Sequence, residues 1–339
     1  MNVTATLSST REINYAEATL EAMQEEMRRD PTVWLLGEDI ALQGGVFGQF
    51  KGLSQEFGSG RVVDTPISEM AIIGSAVGAA LTGTRPVADI HFADFTTCAM
   101  DEIVNQAAKI RYMFGGQGQV PMVIRAPSGM VRSAAAQHSQ SPEAWFIHTP
   151  GLKVVAPSNP ADAKGLLKAA IRDNNPVLYF EHKALYQVKG SVPELDAGDY
   201  IVPIGVAAIP RKGRHISLIS YSATVIQALE AARILAEEDG IEAEVIDLRS
   251  LWPWDKEAVL QSLKKTKRAL IAHEAPRAAG FGAEIAATLA EEAFDYLDAP
   301  IARLGAPHVP IPFSPTLEQQ VRVTAAMMVA AVRKMKIRV

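Results

Sequence analysis

The chain reads as an α/β protein of two doubly wound domains with mostly parallel sheets. Apolar runs of four to seven residues alternate with segments of helical period in both halves. Pro and Gly punctuate the joints, and a stretch around 187–203 loses periodicity and gathers Gly, Pro and acids. Strands alternating with helices imply parallel pairing with helices on both faces. At 339 residues the chain is long enough for two domains. The division expected is a flexible leader over 1–12, a first domain over 13–186, a linker over 187–203 and a second domain over 204–339.

In the first half, Tyr15 to Arg28 has a helical pattern with Ala18, Met23 and Met27 among its apolar positions, and Pro31 ends it. Val33-Trp34-Leu35-Leu36 reads as a buried strand that closes in Gly37-Glu38-Asp39 and a glycine-rich loop, QGGVFGQF. An acid pair before such a loop fits either an active site or a solvated turn. Val62-Val63 is a short strand end, Pro66 a turn, and Ser68 a cap for a helix whose first turn holds Glu69. Gly74, Ser75, Ala76, Gly78, Ala79 and Ala80 follow. Gly costs roughly 1 kcal/mol against Ala within a helix, so this run predicts another backbone packed close against it. Glu69, at the head of that helix and the carboxyl end of a strand, is either a ligand-binding acid or a capping one.

Pro86 to Phe92 is the next strand, and Ala99 to Met113 the next helix, with Ile103, Val104, Ala107 and Ile110 on one face and Gly115-Gly116 as its stop. Pro121 to Arg125 is a strand leading into SGMVRSAAAQHSQSPEAWF, a loop of small residues that carries His138. A lone histidine there is either structural or catalytic. Lys153 to Pro157, the helix Pro160 to Arg172 and the strand Val177 to Glu181 complete the domain. The second domain is read as strands at 216–220, 243–247 and 269–272, with helices at 224–238, 255–266, 282–292 and 324–335. His273-Glu274 stands at a strand end, where a turn at a subunit contact is the neutral reading.

Composition narrows the function classes. The chain is 48% hydrophobic and 21% charged, an ordinary globular balance. A net charge of -5 argues against non-specific nucleic-acid binding. One cysteine, Cys98, leaves no intrachain disulfide and no thiolate zinc cluster. The first residues have no apolar core of a secretory signal, and no run approaches the ~18 apolar residues that span a bilayer. A cytoplasmic protein without nucleic-acid or membrane partners is the expectation.

Several stretches carry a resemblance: TPISEMAIIGSAVGAA, RPVADIHFADF, DEIVNQAAKIRYMFGG, AAAQHSQSPEAWF, PGLKVVAPSNPADAKGLLKAAIRDNNPVLYFEHKALY and EVIDLRSLWPWD. Together they resemble the beta subunits of thiamine-diphosphate-dependent 2-oxo acid dehydrogenase components, over nearly the whole chain after the first dozen residues. The resemblance implies a pyrimidine-binding domain followed by a smaller transketolase C-terminal domain. It implies that Glu69 hydrogen-bonds N1' of the cofactor's aminopyrimidine and favours the imino tautomer, which removes the thiazolium C2 proton. It gives Phe95 the stacking position on that pyrimidine, Ile67 an apolar wall of its pocket, and Glu38 a place near the cofactor, relaying protons between paired sites. His138 matches the histidine that orients substrate and assists acyl transfer to a lipoyl arm.

The Gly-Asp-Gly element that holds diphosphate and Mg2+ in thiamine enzymes is absent from the chain. The resemblance therefore implies an alpha subunit that supplies Mg2+ and the diphosphate site in an alpha2beta2 tetramer, with a lipoyl acyltransferase as further partner. It also implies a potassium-type cation on backbone carbonyls near 120–123 and 170–175, a pattern that Asp173 and Asn175 match. YMFGGQG, RSAAAQHSQ, FEHKALY and GAPHVPIPFSP resemble the acetoin-cleaving type. SQSPEAWF is shared with the branched-chain type and AAIRDNNP with the pyruvate type, so acetoin is the expected small-molecule substrate and those 2-oxo acids the alternatives. A self-contained transketolase-like enzyme would need the missing diphosphate motif. A regulatory homologue would be expected to lack Glu69 or His138. A flavin-binding electron-transfer subunit shares only the architecture.

Overall fold

The computed structural model describes residues 10–194 and 198–337. In chain order the first part contains β1 (Thr10–Asn14), α1 (Tyr15–Arg29), β2 (Val33–Gly37), α2 (Leu53–Phe57), β3 (Val62–Asp64), α3 (Glu69–Leu81), β4 (Arg85–Asp89), α4 (Ile110–Met113), β5 (Val123–Ser128), α5 (Glu143–Ile147), β6 (Lys153–Val155), α6 (Pro160–Arg172), β7 (Val177–His182) and β8 (Lys189–Pro193). The second contains β9 (Ala208–Arg211), β10 (Ile216–Ser220), α7 (Thr224–Asp239), β11 (Ala243–Asp247), β12 (Ser250–Trp252), α8 (Lys256–Thr266), β13 (Ala269–Pro276), α9 (Gly282–Glu292), β14 (Ala302–Ala306), α10 (Pro315–Val321) and α11 (Ala325–Lys334).

The first sheet runs β12-β6-β7-β5-β4-β2-β3 and is parallel except for β12; the second runs β14-β13-β10-β11-β9 and is parallel except for β9. Buried strands such as β5 and β7 are inaccessible along their whole length, as expected for sheets covered on both faces. β12 lies beyond β11 in the chain yet returns to pair with β6, so the second half completes the first half's sheet. A single apolar cluster accordingly runs from Ile73, Ile90 and Ile124 through Leu178 into Ile219, Ile246 and Ile285.

Local chemistry accounts for the helices. Asn14 and Glu17 form a reciprocal capping box at the start of α1. α6 opens with Pro160 in its first turn and Asn159 accepting from the Asp162 N–H. Four sequence expectations change. Thr10–Glu12 of the supposed leader belong to β1, which pairs antiparallel with β8, and β8 lies inside the supposed linker; residues 1–9 and 195–197 lie outside the described residues. The helix expected over Ala99–Met113 is a 3-10 turn (Ala93–Ala99), a π-helix (Asp101–Ala107) and the short α4. The spacing of Ile103, Ala107 and Ile110 buries all three in this irregular path too, so periodicity could not tell the two apart. Ser68 takes the N-cap position but its hydroxyl makes no capping bond. The segments at 93–99 and 101–107 do pack against α3, where a Cβ on Gly74 would lie 3.6 Å from the Glu102 side chain, whereas a Cβ on Gly78 would meet nothing within 4 Å.

A fully buried ion pair ties β5 to β7. Arg125 donates to both carboxylate oxygens of Glu181, from Nη2 to Oε1 at 2.9 Å, and to Thr19 Oγ1 at 2.9 Å, with Phe50 stacked at 4.5 Å. Removing one partner strands a buried charge. Glu181→Gln is expected to destabilise the protein by about 3–5 kcal/mol, read as a lower urea midpoint at unchanged slope. An unchanged midpoint contradicts the role given to this pair.

Candidate functional site

The carboxyl ends of β2, β3, β4, β5 and β7 point to one edge of the first sheet, where ligands collect in open α/β folds. Glu38 follows β2 directly, and Glu69 opens α3 after β3. Glu38 Oε1 is buried without a hydrogen-bond partner. Burial, then the charge of Glu69, raise the Glu38 pKa. Two acids that repel each other, one with an unpaired buried oxygen, form a site that lacks a donor.

β4 ends on Asp89, and alternation places His91 on the same side two residues later. His91 Nε2 lies 2.5 Å from Asp89 Oδ2 and 3.2 Å from Gln49 Nε2. Burial opposes charge on this ring, but Asp89 and Glu38 outweigh it and raise its pKa. Beyond His91, Phe92 and Phe95 hold His138 between them. Ring centroids are 5.4 Å from Phe92 and 5.3 Å from Phe95, the latter at 84°. Such edge contacts fix ring orientation. The chain thus brings Glu38, Glu69, Phe95 and His138 to one region, although they are spread over 100 residues of sequence.

Lys183, directly after β7, donates to the carbonyl of His138 and stands 4.7 Å over the Phe92 ring. Burial pushes its ammonium down to about 8, against the pull of Asp94, Glu274 and Glu318. Asp89, His91, Phe92 and Lys183 were not singled out from the sequence, although RPVADIHFADF and FEHKALY contain them. The available signal was positional: polar and aromatic side chains at or just beyond the carboxyl ends of parallel strands.

Ile67 lies on the turn before α3 and is 80% exposed, an apolar side chain without a cover in this chain. Asp173 and Asn175 do not join the group. They precede β7, at the opposite edge of the sheet. Asp173 Oδ2 pairs with Lys153 at 2.5 Å and Asn175 Oδ1 with Arg111 at 2.5 Å, while the carbonyls of Ile171 and Asp173 accept from Arg85 at 3.0 Å. Lys153 and Arg111 thus engage the two side chains, and Arg85 the two carbonyls. Among the described residues no cluster of three or more His, Cys, Asp or Glu side chains is arranged to hold a metal ion.

His273 is not at a turn. It lies inside β13, buried, its Nδ1 3.0 Å from the Ala275 carbonyl and its ring stacked on Tyr221. Burial pushes its pKa down to about 4, so it is a neutral core residue. Glu274 faces the first domain instead.

This architecture and site define a thiamine-type pyrimidine-binding domain joined to a transketolase-like second domain. Family models for the transketolase pyrimidine-binding domain and the transketolase C-terminal domain match residues 11–189 and 205–328. Relatives include the beta subunit of acetoin:2,6-dichlorophenolindophenol oxidoreductase of Bacillus subtilis, 51% identical over 91% of this chain and 93% of that protein. The 2-oxoisovalerate dehydrogenase beta subunit of the same organism is 47% identical, over 95% and 98% of the two chains. The mitochondrial pyruvate dehydrogenase E1 beta subunit of Caenorhabditis elegans is 47% identical over 94% and 91%. A solved structure described as a split gene transketolase, inactive beta4 tetramer, superposes with a TM-score of 0.75 at 25% identity, covering 95% of this chain and 98% of that one. The chain belongs to the family of beta subunits of thiamine-diphosphate-dependent acetoin and 2-oxo acid dehydrogenase components.

Proposed function

We propose that this chain is the beta subunit of a cytoplasmic acetoin-cleaving dehydrogenase component, working with an alpha subunit in an alpha2beta2 tetramer and passing the acyl group to a lipoyl acyltransferase. The observation that carries the reading is the acid pair Glu38 and Glu69 with an unpartnered buried oxygen, set beside a His138 oriented by Phe92 and Phe95. An aminopyrimidine supplies the nitrogen donors such a pair lacks, so these residues fit thiamine diphosphate. When bound, that cofactor supplies a nucleophilic thiazolium carbon for attack on a carbonyl.

This chain's residues do the rest. Glu69 holds a proton at pyrimidine N1', Phe95 and Ile67 bound the ring and exclude water, and Glu38 keeps a second acid at hand. His138 gives or takes a proton at the substrate oxygen or the lipoyl sulfur. Magnesium and the diphosphate are assigned to the alpha subunit, since the chain has no Gly-Asp-Gly element. A monovalent cation at the turn 170–175, if the assembly takes one, is limited to main-chain carbonyls, and no step is assigned to it.

The partner surface is assigned to exposed apolar groups: Ile67 and Met70 beside the site and, toward the opposite edge of the sheet on α4, Tyr112 and Met113 at 89% and 70% exposure. The open face of α3 at Gly78 offers the close approach that this chain does not use itself. Acetoin is favoured by the motifs around His138 and Lys183 and by the most identical relative named above. Among the described residues no helix is long and apolar enough to cross a membrane.

Coexpressed with its alpha subunit, with thiamine diphosphate, Mg2+ and an artificial electron acceptor, the protein is expected to show a higher kcat/KM for acetoin than for pyruvate or 3-methyl-2-oxobutanoate. Preference for either 2-oxo acid keeps the chemistry and replaces the substrate. No turnover of any of the three in an assembled tetramer overturns the reading.

A further inference from the structure

The loop from Gly129 to Ser141, which carries His138, contains no helix or strand. Four of its residues have positive φ: Gly129 (82°), Arg132 (47°), Ser133 (60°) and Ala135 (62°). Three of these have side chains, and such conformations persist only where the surroundings over-determine them. The loop is closed at its base by Gly129 N–H donating to the Gln140 carbonyl at 3.0 Å. Its exit half is held by the first domain, through Gln140 N–H to Asp94 Oδ1 at 3.1 Å and Lys183 to the His138 carbonyl.

The entry half is held by the second domain. Met130 N–H donates to Glu274 Oε1 at 2.6 Å, across 144 residues of sequence. Ser133 N–H donates to Glu318 Oε2 at 2.8 Å, and Arg322 joins the Glu318 carboxylate to the Met130 carbonyl at 2.6 and 2.7 Å. Glu274 Oε1 also takes His182 Nε2 at 2.9 Å, and His182 is the chain neighbour of Lys183. One carboxylate therefore joins the start of the loop to the β7 end whose next residue holds His138 itself. Backbone N–H groups bound to a carboxylate are charge-assisted and hold tighter than neutral pairs. There is no slack on the other side: a Cβ on Gly129 would fall 2.1 Å from His182 Nε2.

We infer that Glu274 of the second domain is a positioning residue for His138, acting through the Met130 N–H and the His182–Lys183 corner; the kinetic part of this inference rests on the role proposed above for His138. Glu274 touches neither substrate nor cofactor in this scheme. It fixes where the loop starts, and Lys183 fixes where His138 sits.

The test compares Glu274→Ala and Glu274→Gln with the unaltered alpha2beta2 holoenzyme. Three quantities are read: thiamine diphosphate affinity, the rate of acyl transfer to a lipoyl domain against the rate with an artificial acceptor, and carbethoxylation of His138 by diethyl pyrocarbonate, followed on its peptide by mass spectrometry. Glu274→Ala is expected to leave cofactor affinity unchanged and to slow lipoyl transfer by about tenfold or more relative to the artificial acceptor, as a misplaced group does. The same variant should speed modification of His138 several-fold. Glu274→Gln, which keeps an acceptor for Met130 N–H, falls between, and it carries the test if the alanine variant fails to assemble. Unchanged His138 modification and an unchanged ratio of the two rates in an assembled variant overturn the inference. If the unaltered tetramer shows no thiamine-dependent turnover, the proposed function falls, and the modification rates alone still decide whether Glu274 positions His138.

Discussion

Glu69→Gln, in the tetramer with its alpha subunit, lowers turnover by about 10²–10⁴-fold, the range for loss of a positioned acid–base group. Gln keeps the length and most of the shape of Glu but cannot hold or release the proton at pyrimidine N1'. Glu69→Asp is nearly as damaging, because one methylene less leaves the carboxylate short of a ring nitrogen. A readout independent of turnover accompanies it. Burial first, and the Glu69 charge second, raise the Glu38 pKa. Deleting that charge lowers the Glu38 pKa, and a carbon-detected NMR titration should show the downward shift. Turnover in Glu69→Gln comparable to the unaltered protein refutes the assignment.

His138→Ala leaves thiamine diphosphate affinity unchanged and slows transfer to a lipoyl domain by about 10²–10³-fold, with a smaller loss when an artificial acceptor takes the electrons. His138 is partly accessible and edge-on to two phenylalanines, so a packing role must be separated from a proton-transfer role. His138→Phe preserves the aromatic contacts and removes the titratable nitrogens. Equal kinetic losses in the alanine and phenylalanine variants mark proton transfer; recovery in His138→Phe, or loss of cofactor affinity in His138→Ala, marks packing.

The parts of the fold that were legible in the sequence are those with strong period and double-sided burial. β2, β5, β7, β10 and β11 are mostly apolar and buried along nearly their whole length, and α1, α6 and α7 carry their own caps or a clear apolar stripe. β1, β8, β9, β12 and β14 escaped because each is three to five residues long and at a sheet edge or in a two-stranded ribbon, with at least one exposed or partly exposed residue. Their stability comes from a partner far along the chain, which local pattern does not encode.

The site divides in the same way. Glu38, Glu69, Phe95 and His138 could be picked out as polar or aromatic groups at the ends of apolar segments, and the family resemblance supplied their expected roles. Lys183 is not among them, and Glu274, which stands with His273 at a strand end, reads as a turn, because what distinguishes both is a contact: Lys183 with a carbonyl 45 residues away, Glu274 with an N–H 144 residues away. The small residues of α3 predict a close neighbour, and the segments at 93–107 supply one on one side, while none of the described elements takes that place at Gly78. A surface prepared for another subunit and a tightly packed core leave the same small-residue signature in one sequence.

The most direct test of the central claim, that this chain holds only the pyrimidine half of a shared site, is calorimetric titration of thiamine diphosphate with Mg2+ into the chain alone and into its complex with the alpha subunit. No measurable binding by the chain alone and saturable Mg2+-dependent binding by the complex is the predicted result. Tight Mg2+-dependent binding by the isolated chain would contradict it.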